Sequence, residues 1–217
     1  ASRGCEIVYP ATGYLACGDT GQGKLAEVEA IVDRTLAVLG RSDILAGEHV
    51  LITAGGTREA IDPVRYIGNR SSGKMGYALA RAARDMGASV TLVSAPTALQ
   101  APQGVCVVPV ESAAEMHAEV ERAFEEATML VCAAAVADYT PATVAPEKLS
   151  KSDGELTSVP LVKTRDILAD MSSKKDDRIV IGFAAETNDL TRRAVDKLAR
   201  KGCDAICLLY TSDAADE

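Results

Sequence analysis

The stretch GNRSSGKM, Gly68 to Met75, has the composition of an anion-binding loop: glycines, two hydroxyls, and a lysine ahead of a helical pattern. A phosphate-binding loop of the P-loop type needs Gly, four residues, Gly, Lys and then a Ser or Thr whose hydroxyl reaches magnesium. The first part of that spacing is present, but Met75 stands where the hydroxyl belongs. Gly68 also lies fourteen residues beyond Ala54, the end of the apolar run HVLITA, whereas a true P-loop follows its strand directly. The P-loop NTPase fold is therefore disfavoured. Ser71, Ser72 and Gly73 could still present N–H groups to an anion at a helix start, where the dipole favours negative charge by ~0.3–1 kcal/mol. The plain alternative is that Ser72 caps the helix and Lys74 faces solvent.

Two further patterns bear on nucleotide chemistry. Gly55-Gly56 follows the first strand, yet the G-x-G-x-x-G spacing is missing and the second strand ends LVSAP without the acidic residue that holds a ribose. No Tyr-x-x-x-Lys pair occurs either, so hydride chemistry on NAD is a poor fit. Asp138 follows an almost continuous apolar run, where an isolated carboxylate is costly unless it meets a cation. Magnesium would be such a cation, and would replace the hydroxyl missing at position 75. Lys148, Lys151 and Lys163 lie in or beside the segment from Val136 to Val162, and suit a polyphosphate closed over by a lid as well as they suit a solvated surface loop.

These residues need a scaffold, and the chain supplies an alternating one. The runs HVLITA, SVTLVSA, VCVVPV, TMLVCAAAV, RIVIGFAAE and DAICLL read as buried strands. Between them lie helices: one with Met75, Leu79, Ala82, Ala83 and Met86 at helical spacing, closed by Gly87. A second opens on the capping box Ser112-x-x-Glu115 and carries Met116, Val120, Ala123 and Ala127, and a third carries Leu190, Ala194 and Leu198 and ends at Gly202. Apolar strands separated by amphipathic helices predict an α/β, Rossmann-like parallel sheet with helices on both faces, and ligands beyond the carboxyl ends of its strands. The segment Val136–Val162 is polar, without helical period, and long for a loop. Ahead of the sheet, Leu25, Val28, Ile31, Val32, Leu36 and Leu39 mark an amphipathic helix with no obvious partner surface.

Composition narrows the class. In 217 residues the net charge is −8 and the pI about 4.9, so no basic field exists for nucleic acid or anionic lipid, and an anionic ligand must meet a local cluster of bases. No apolar run approaches the ~20 residues of a membrane span. These features point to a cytoplasmic protein. The six cysteines fall at irregular intervals without a C-x-x-C pair, and four sit in apolar runs, so buried free thiols are expected.

The blocks ITAGGTREAIDPVRYIGNRSSGKMG, CAAAVADYTPATVAPEKLSK and IGFAAETN closely resemble the synthetase half of bacterial bifunctional phosphopantothenoylcysteine decarboxylase/phosphopantothenate–cysteine ligases of coenzyme A biosynthesis. The resemblance runs from about Gly47 to Cys207. It implies a Rossmann-like fold, a homodimer, and ligation of 4′-phosphopantothenate to cysteine, driven by CTP with Mg2+ through an acyl-cytidylate. Position by position, it implies Ser71, Ser72 and Gly73 as phosphate contacts, with Phe183 and Ala184 near the nucleotide and Gly55, Gly56 and Ala135 completing that set. Asp138 resembles the residue tied to cation and nucleotide, and Lys148 and Lys151 the lid lysines, with Lys151 also counted as catalytic. Asn69 resembles the asparagine that handles the acyl-cytidylate, and Arg65 a holder of the anionic substrate.

Upstream, ACGDTGQGKL resembles the substrate flap of the FMN-dependent decarboxylase half, with Cys17 at the position of its proton-donating cysteine. The implied organisation is a decarboxylase remnant and linker helix over 1–45, a CTP-binding ligase domain over 46–207, and a tail from Leu208 to Glu217 without a counterpart. An FMN decarboxylase and an inert nucleotide-binding fragment are the alternatives.

Overall fold

The computed structural model describes residues 7–14, 20–40, 42–150, 158–185 and 190–209. A short hairpin, β1 (Ala11–Tyr14) and β2 (Thr20–Lys24), precedes helix α1 (Val28–Leu39). Then come β3 (His49–Ala54), the small strands β4 (Arg58–Ala60) and β5 (Tyr66–Gly68), and helix α2 (Lys74–Asp85). β6 (Ser89–Ser94), β7 (Cys106–Pro109), α3 (Ala113–Phe124) and β8 (Met129–Cys132) follow. β9 (Tyr139–Pro141), β10 (Leu161–Lys163), α4 (Ile167–Ser172), β11 (Ile179–Ala185), α5 (Leu190–Lys201) and β12 (Ala205–Leu209) complete the order.

Six strands form one parallel sheet in the order β12-β11-β8-β3-β6-β7. Numbered along the chain from the β7 edge, that is 3-2-1-4-5-6, the doubly wound Rossmann order, and the expected fold class is what the chain adopts. The central strand β3 is buried from Val50 to Ala54, and alternate side chains enter the two cores. Val50, Ile52 and Ala54 join Tyr77, Ala80 and Ala83 of α2, while Leu51 joins Met116 and Val120 of α3 and Met171 of α4. The capping box forms as read: Ser112 Oγ accepts from Glu115 N–H at 3.1 Å, and Glu115 Oε2 accepts from Ser112 N–H at 3.4 Å.

Several expectations need correction. The buried face of α2 is Gly76, Tyr77, Ala80 and Ala83; Met75 and Leu79 are half-buried, and Ala82 and Met86 are exposed. At Gly76 the helix lies directly on the sheet: a Cβ there would come within 2.5 Å of Ala54 Cβ and 2.9 Å of Thr53 O. The segment from Val136 to Val162 is not featureless, since β9 and β10 pair antiparallel at its two ends, Tyr139 opposite Lys163. Cys203 is buried, but Cys106 and Cys207 are exposed because β7 and β12 are the sheet edges. By contrast α1 agrees with the expected helix lacking a partner surface: Val28, Val32 and Leu39 are exposed, as is Leu25 just ahead of it. Among the described residues no helix is long and apolar enough to cross a membrane.

Two outcomes follow from this packing. Gly76→Val should destabilise the chain by about 1–3 kcal/mol through overpacking, read from urea unfolding midpoints. The Cys132 thiol is pushed up to about 12, chiefly by burial and then by Cys203. At pH 7 a thiol reagent should label Cys106 and Cys207 more than about tenfold faster than Cys132, with peptide mapping as the readout.

Candidate functional site at the topological switch point

β3 and β8 lie side by side at the centre of the sheet, and the chain leaves them in opposite directions, so a crevice opens beyond their carboxyl ends. The two backbones stay joined past the strands. Gly56 and Ala135 form a parallel bridge, Ala135 N–H donates to Gly55 C=O at 2.8 Å, and Thr57 N–H donates to Ala135 C=O at 3.3 Å. Two threonine hydroxyls accept from the opposite turn, Thr53 from Ala134 N–H at 3.1 Å and Thr57 from Ala137 N–H at 2.9 Å.

The GNRSSGKM loop folds over this bridge. Asn69 Nδ2 donates to Val136 C=O at 3.1 Å, and a Cβ on Gly56 would meet Asn69 O at 2.7 Å and Ser71 Cβ at 3.4 Å. Only glycine lets the loop come so close. The helix cap is Gly73, at φ 79°, and not Ser72. Ser71 Oγ accepts from Gly73 N–H at 3.3 Å and Ser72 Oγ from Lys74 N–H at 3.4 Å, so both serines shape the turn and bring hydroxyls to its surface.

On the other side of the bridge lies a cavity of ≈ 500 Å³. Ala134, Asp138 and Phe183 line it together with Lys163, Arg165 and Lys197. These are the bases that an acidic protein needs for an anionic ligand. Lys197 Nζ donates to Phe183 C=O at 2.7 Å and fixes the end of β11, while Ala184 is buried behind it. Asp138 is exposed at the rim, so the argument that burial forces a cation onto it does not hold. Among the described residues no cluster of three acidic, His or Cys side chains could hold a metal. A single carboxylate beside a base-lined cavity does fit magnesium that arrives with its nucleotide, since Mg2+ is commonly held by one or two carboxylates plus phosphates.

The expected residues thus fall into three groups. Gly55, Gly56, Asn69, Ser71, Ser72, Gly73 and Ala135 meet at the switch point, Asp138 and Phe183 line the adjoining cavity, and Ala184 is buried behind Phe183 without lining it. Arg65 and Lys148 stand apart, at the turn between β4 and β5 and in the loop it touches. Arg65 Nε pairs with Asp62 at 3.0 Å, and its guanidinium also donates to Leu149 C=O. Cys17 and Lys151 lie outside the described residues. The sequence reading passed over Asp62, Arg165 and Lys197. The available signal for Lys197 was its position three residues after buried Ala194, a lysine on the inward face of α5.

Burial works to raise the Asp62 carboxyl, but hydrogen bonds from the N–H groups of Val64, Arg65 and Leu149, with the Arg65 charge, outweigh it and hold the group below its ordinary value. The described part of 1–45 borders a second cavity, lined by Glu27, Asp33, Arg81 and Arg84. Its charged residues, Arg34 among them, stand beside Ala30, Leu99, Ala101 and Pro102, and no FMN step is derived for these residues.

Comparison with known proteins places this geometry. Residues 45–216 match the model of the DNA/pantothenate metabolism flavoprotein C-terminal domain family. The chain is 48% identical over 203 residues to the coenzyme A biosynthesis bifunctional protein CoaBC of Bacillus subtilis, covering 92% of this chain and 50% of that protein. To CoaBC of Escherichia coli K12 it is 47% identical over 210 residues, covering 95% and 52%. It therefore spans about half the length of the curated relatives it matches. The crystal structure of the C-terminal domain of a CoaBC protein superposes with a TM-score of 0.69 at 44% identity, over 77% of this chain and 79% of that one. The Streptococcus pneumoniae DNA/pantothenate metabolism flavoprotein shares the fold at a TM-score of 0.67 and 23% identity, over 77% and 84%. Its switch-point crevice, its strand order and these matches make the chain a member of the DNA/pantothenate metabolism flavoprotein C-terminal domain family.

Proposed function

We propose that the chain is the ligase part of a bifunctional enzyme of coenzyme A biosynthesis, joining 4′-phosphopantothenate to cysteine at the expense of CTP. The observation that carries this reading is the pairing of two features at one switch point: the glycine-serine loop that folds over the Gly56–Ala135 bridge, and the base-lined cavity beside it.

A carboxylate is a poor acyl donor to an amine, so the substrate must first be activated. In the proposed reaction its carboxylate oxygen bonds to the α-phosphorus of CTP and pyrophosphate leaves. The cysteine nitrogen then bonds to the acyl carbon, CMP leaves, and the amine releases a proton as the amide forms. Ser71, Ser72 and Gly73 are assigned to the phosphates, with Lys163, Arg165 and Lys197 supplying the positive field of the cavity. Magnesium, held by Asp138 together with the phosphates, would neutralise charge on the triphosphate. Asn69 is oriented by its bond to Val136 C=O at 3.1 Å; its amide nitrogen also reaches Ala135 C=O at 3.5 Å, and the N–H making that longer contact is assigned to the acyl oxygen as charge develops there.

Phe183 and Ala184, whose strand end Lys197 braces, are assigned to the wall beside the base, with Gly55, Gly56 and Ala135 admitting the nucleotide closely. Lys148 and Lys151 are assigned to the phosphates, and Arg65 to the anionic substrate. A homodimer is part of the proposal, supported by exposed Val64, Tyr66, Tyr139, Leu161 and Val162 on the two small ladders and their turn. FMN and decarboxylation are assigned to the other half of the parent enzyme.

The full-length gene product carrying this chain should release pyrophosphate from CTP and Mg2+ only when 4′-phosphopantothenate is present, and no release would reject the reading. Asn69→Ala should slow amide formation roughly 10²-fold while CTP affinity stays unchanged, as expected for loss of one oxyanion donor. Single-turnover kinetics and calorimetry separate those two effects.

A further inference from the structure

The turn between β4 and β5 holds a buried carboxylate that the proposed chemistry does not use. Asp62 is 2% exposed and its side chain is fully covered. Its two oxygens have different partners. Oδ1 accepts from the N–H groups of Val64 and Arg65, both at 2.8 Å, which closes the Asp62-Pro63-Val64-Arg65 turn. Oδ2 accepts from Leu149 N–H at 3.2 Å, eighty-seven residues on, and from Nε of Arg65, the last residue of the turn, at 3.0 Å. The same Arg65 guanidinium donates to Leu149 C=O, and Ala145 N–H donates to Ile61 C=O at 2.9 Å.

Closing the turn needs only one acceptor oxygen, so an asparagine or serine would serve there. Burying a full charge is costly unless every lone pair finds a donor, and here the second oxygen takes one donor from the turn, Arg65 Nε, and one from the loop that follows β9, Leu149 N–H. Both linked segments leave the switch point. Residues 58–68 run out from Thr57 and back to Asn69, and residues 139–149 run out from Asp138.

We propose that Asp62 is a positioning residue: its carboxylate latches these two loops into one body, and so sets Arg65 and Lys148 in fixed relation to Asn69 and the cavity. The proposal rests on the ligase reading for what Arg65 and Lys148 then contact. It accounts for a carboxylate where a turn alone needs none, and for the engagement of Arg65 with both Asp62 and Leu149.

Asp62→Asn tests it with little change of shape. The amide can keep one oxygen on the Val64 and Arg65 N–H groups, but its NH2 then faces two donors, so the cross-loop bond from Leu149 N–H and the Arg65 Nε pair open together while the bonds from the turn's own N–H groups stay. Amide hydrogen exchange at Leu149 should become at least about tenfold faster, while exchange at Leu51 and Leu130 in the sheet stays as it was. In the full-length gene product, KM for CTP and for 4′-phosphopantothenate should rise about tenfold with kcat altered less than about threefold. Leu149→Pro removes the donor, leaves the carboxylate in place, and should reproduce the KM change.

Unchanged exchange at Leu149 in Asp62→Asn overturns the latch. Faster exchange with unchanged KM in both variants overturns the positioning role and leaves a purely structural bond. A wild-type enzyme without CTP-dependent turnover removes the ligase reading, and this role with it, whatever the exchange shows.

Discussion

Everything in the site depends on the approach of two backbones, at Gly56 and Ala135, where the turns after β3 and β8 continue the pairing of their strands. The GNRSSGKM loop lies against the Gly56 side of that bridge, at a distance where a single Cβ would collide with Asn69 O. The bridge therefore does two things. It holds Asn69 and the serine turn over the sheet, and it directs β8 onward through Val136 to Asp138 at the cavity. Hydroxyls of Thr53 and Thr57 brace the same crossing, Thr53 accepting from Ala134 N–H and Thr57 from Ala137 N–H, the latter a group that would otherwise be buried without a partner.

From that crossing the electrostatics of the site follow. The protein is acidic overall, so its long-range field repels anions. The cavity counters this with bases from different elements: Lys163 from β10, Arg165 from the link into α4, and Lys197 from α5. They converge because β8 and β11 are neighbours and the β9–β10 ladder folds back across their ends. The neighbouring α3–α4 seam shares one of these bases, Arg165. There His117 meets Asp170 at 2.9 Å, Asp170 also pairs with Arg165, and the groups hold helices together. The hydrogen bond from His117 is the largest influence keeping the Asp170 carboxyl below its ordinary value.

How legible this was depended on how local each feature is. Strand and helix placement showed in apolar runs and capping signals, because a central strand such as β3 is buried on both faces and β-sheet burial leaves a continuous apolar imprint. The face of α2 differs from the expected one by a rotation about its axis: Ala83 is buried as expected, Gly76, Tyr77 and Ala80 join it, and Ala82 faces out. A helix lying directly on a sheet buries glycine and alanine, and leaves Met86 outside. Cys106 and Cys207 were misread because an edge strand and a central strand look alike in a single sequence.

The sequence alone determined the doubly wound sheet, the glycine-serine loop at a helix start, and the family resemblance, since each rests on residues close in the chain or on long continuous blocks. Tertiary structure decided the rest. It set which serines turn the loop and which residue caps the helix, split the expected site between the switch point and the cavity, added Lys197 and Arg165, and placed Asp62 on Leu149. Those relations join residues dozens of positions apart, through hydrogen bonds whose partners are backbone groups. Every residue carries the same N–H and C=O, so the identity of a side chain does not reveal which of them it will meet.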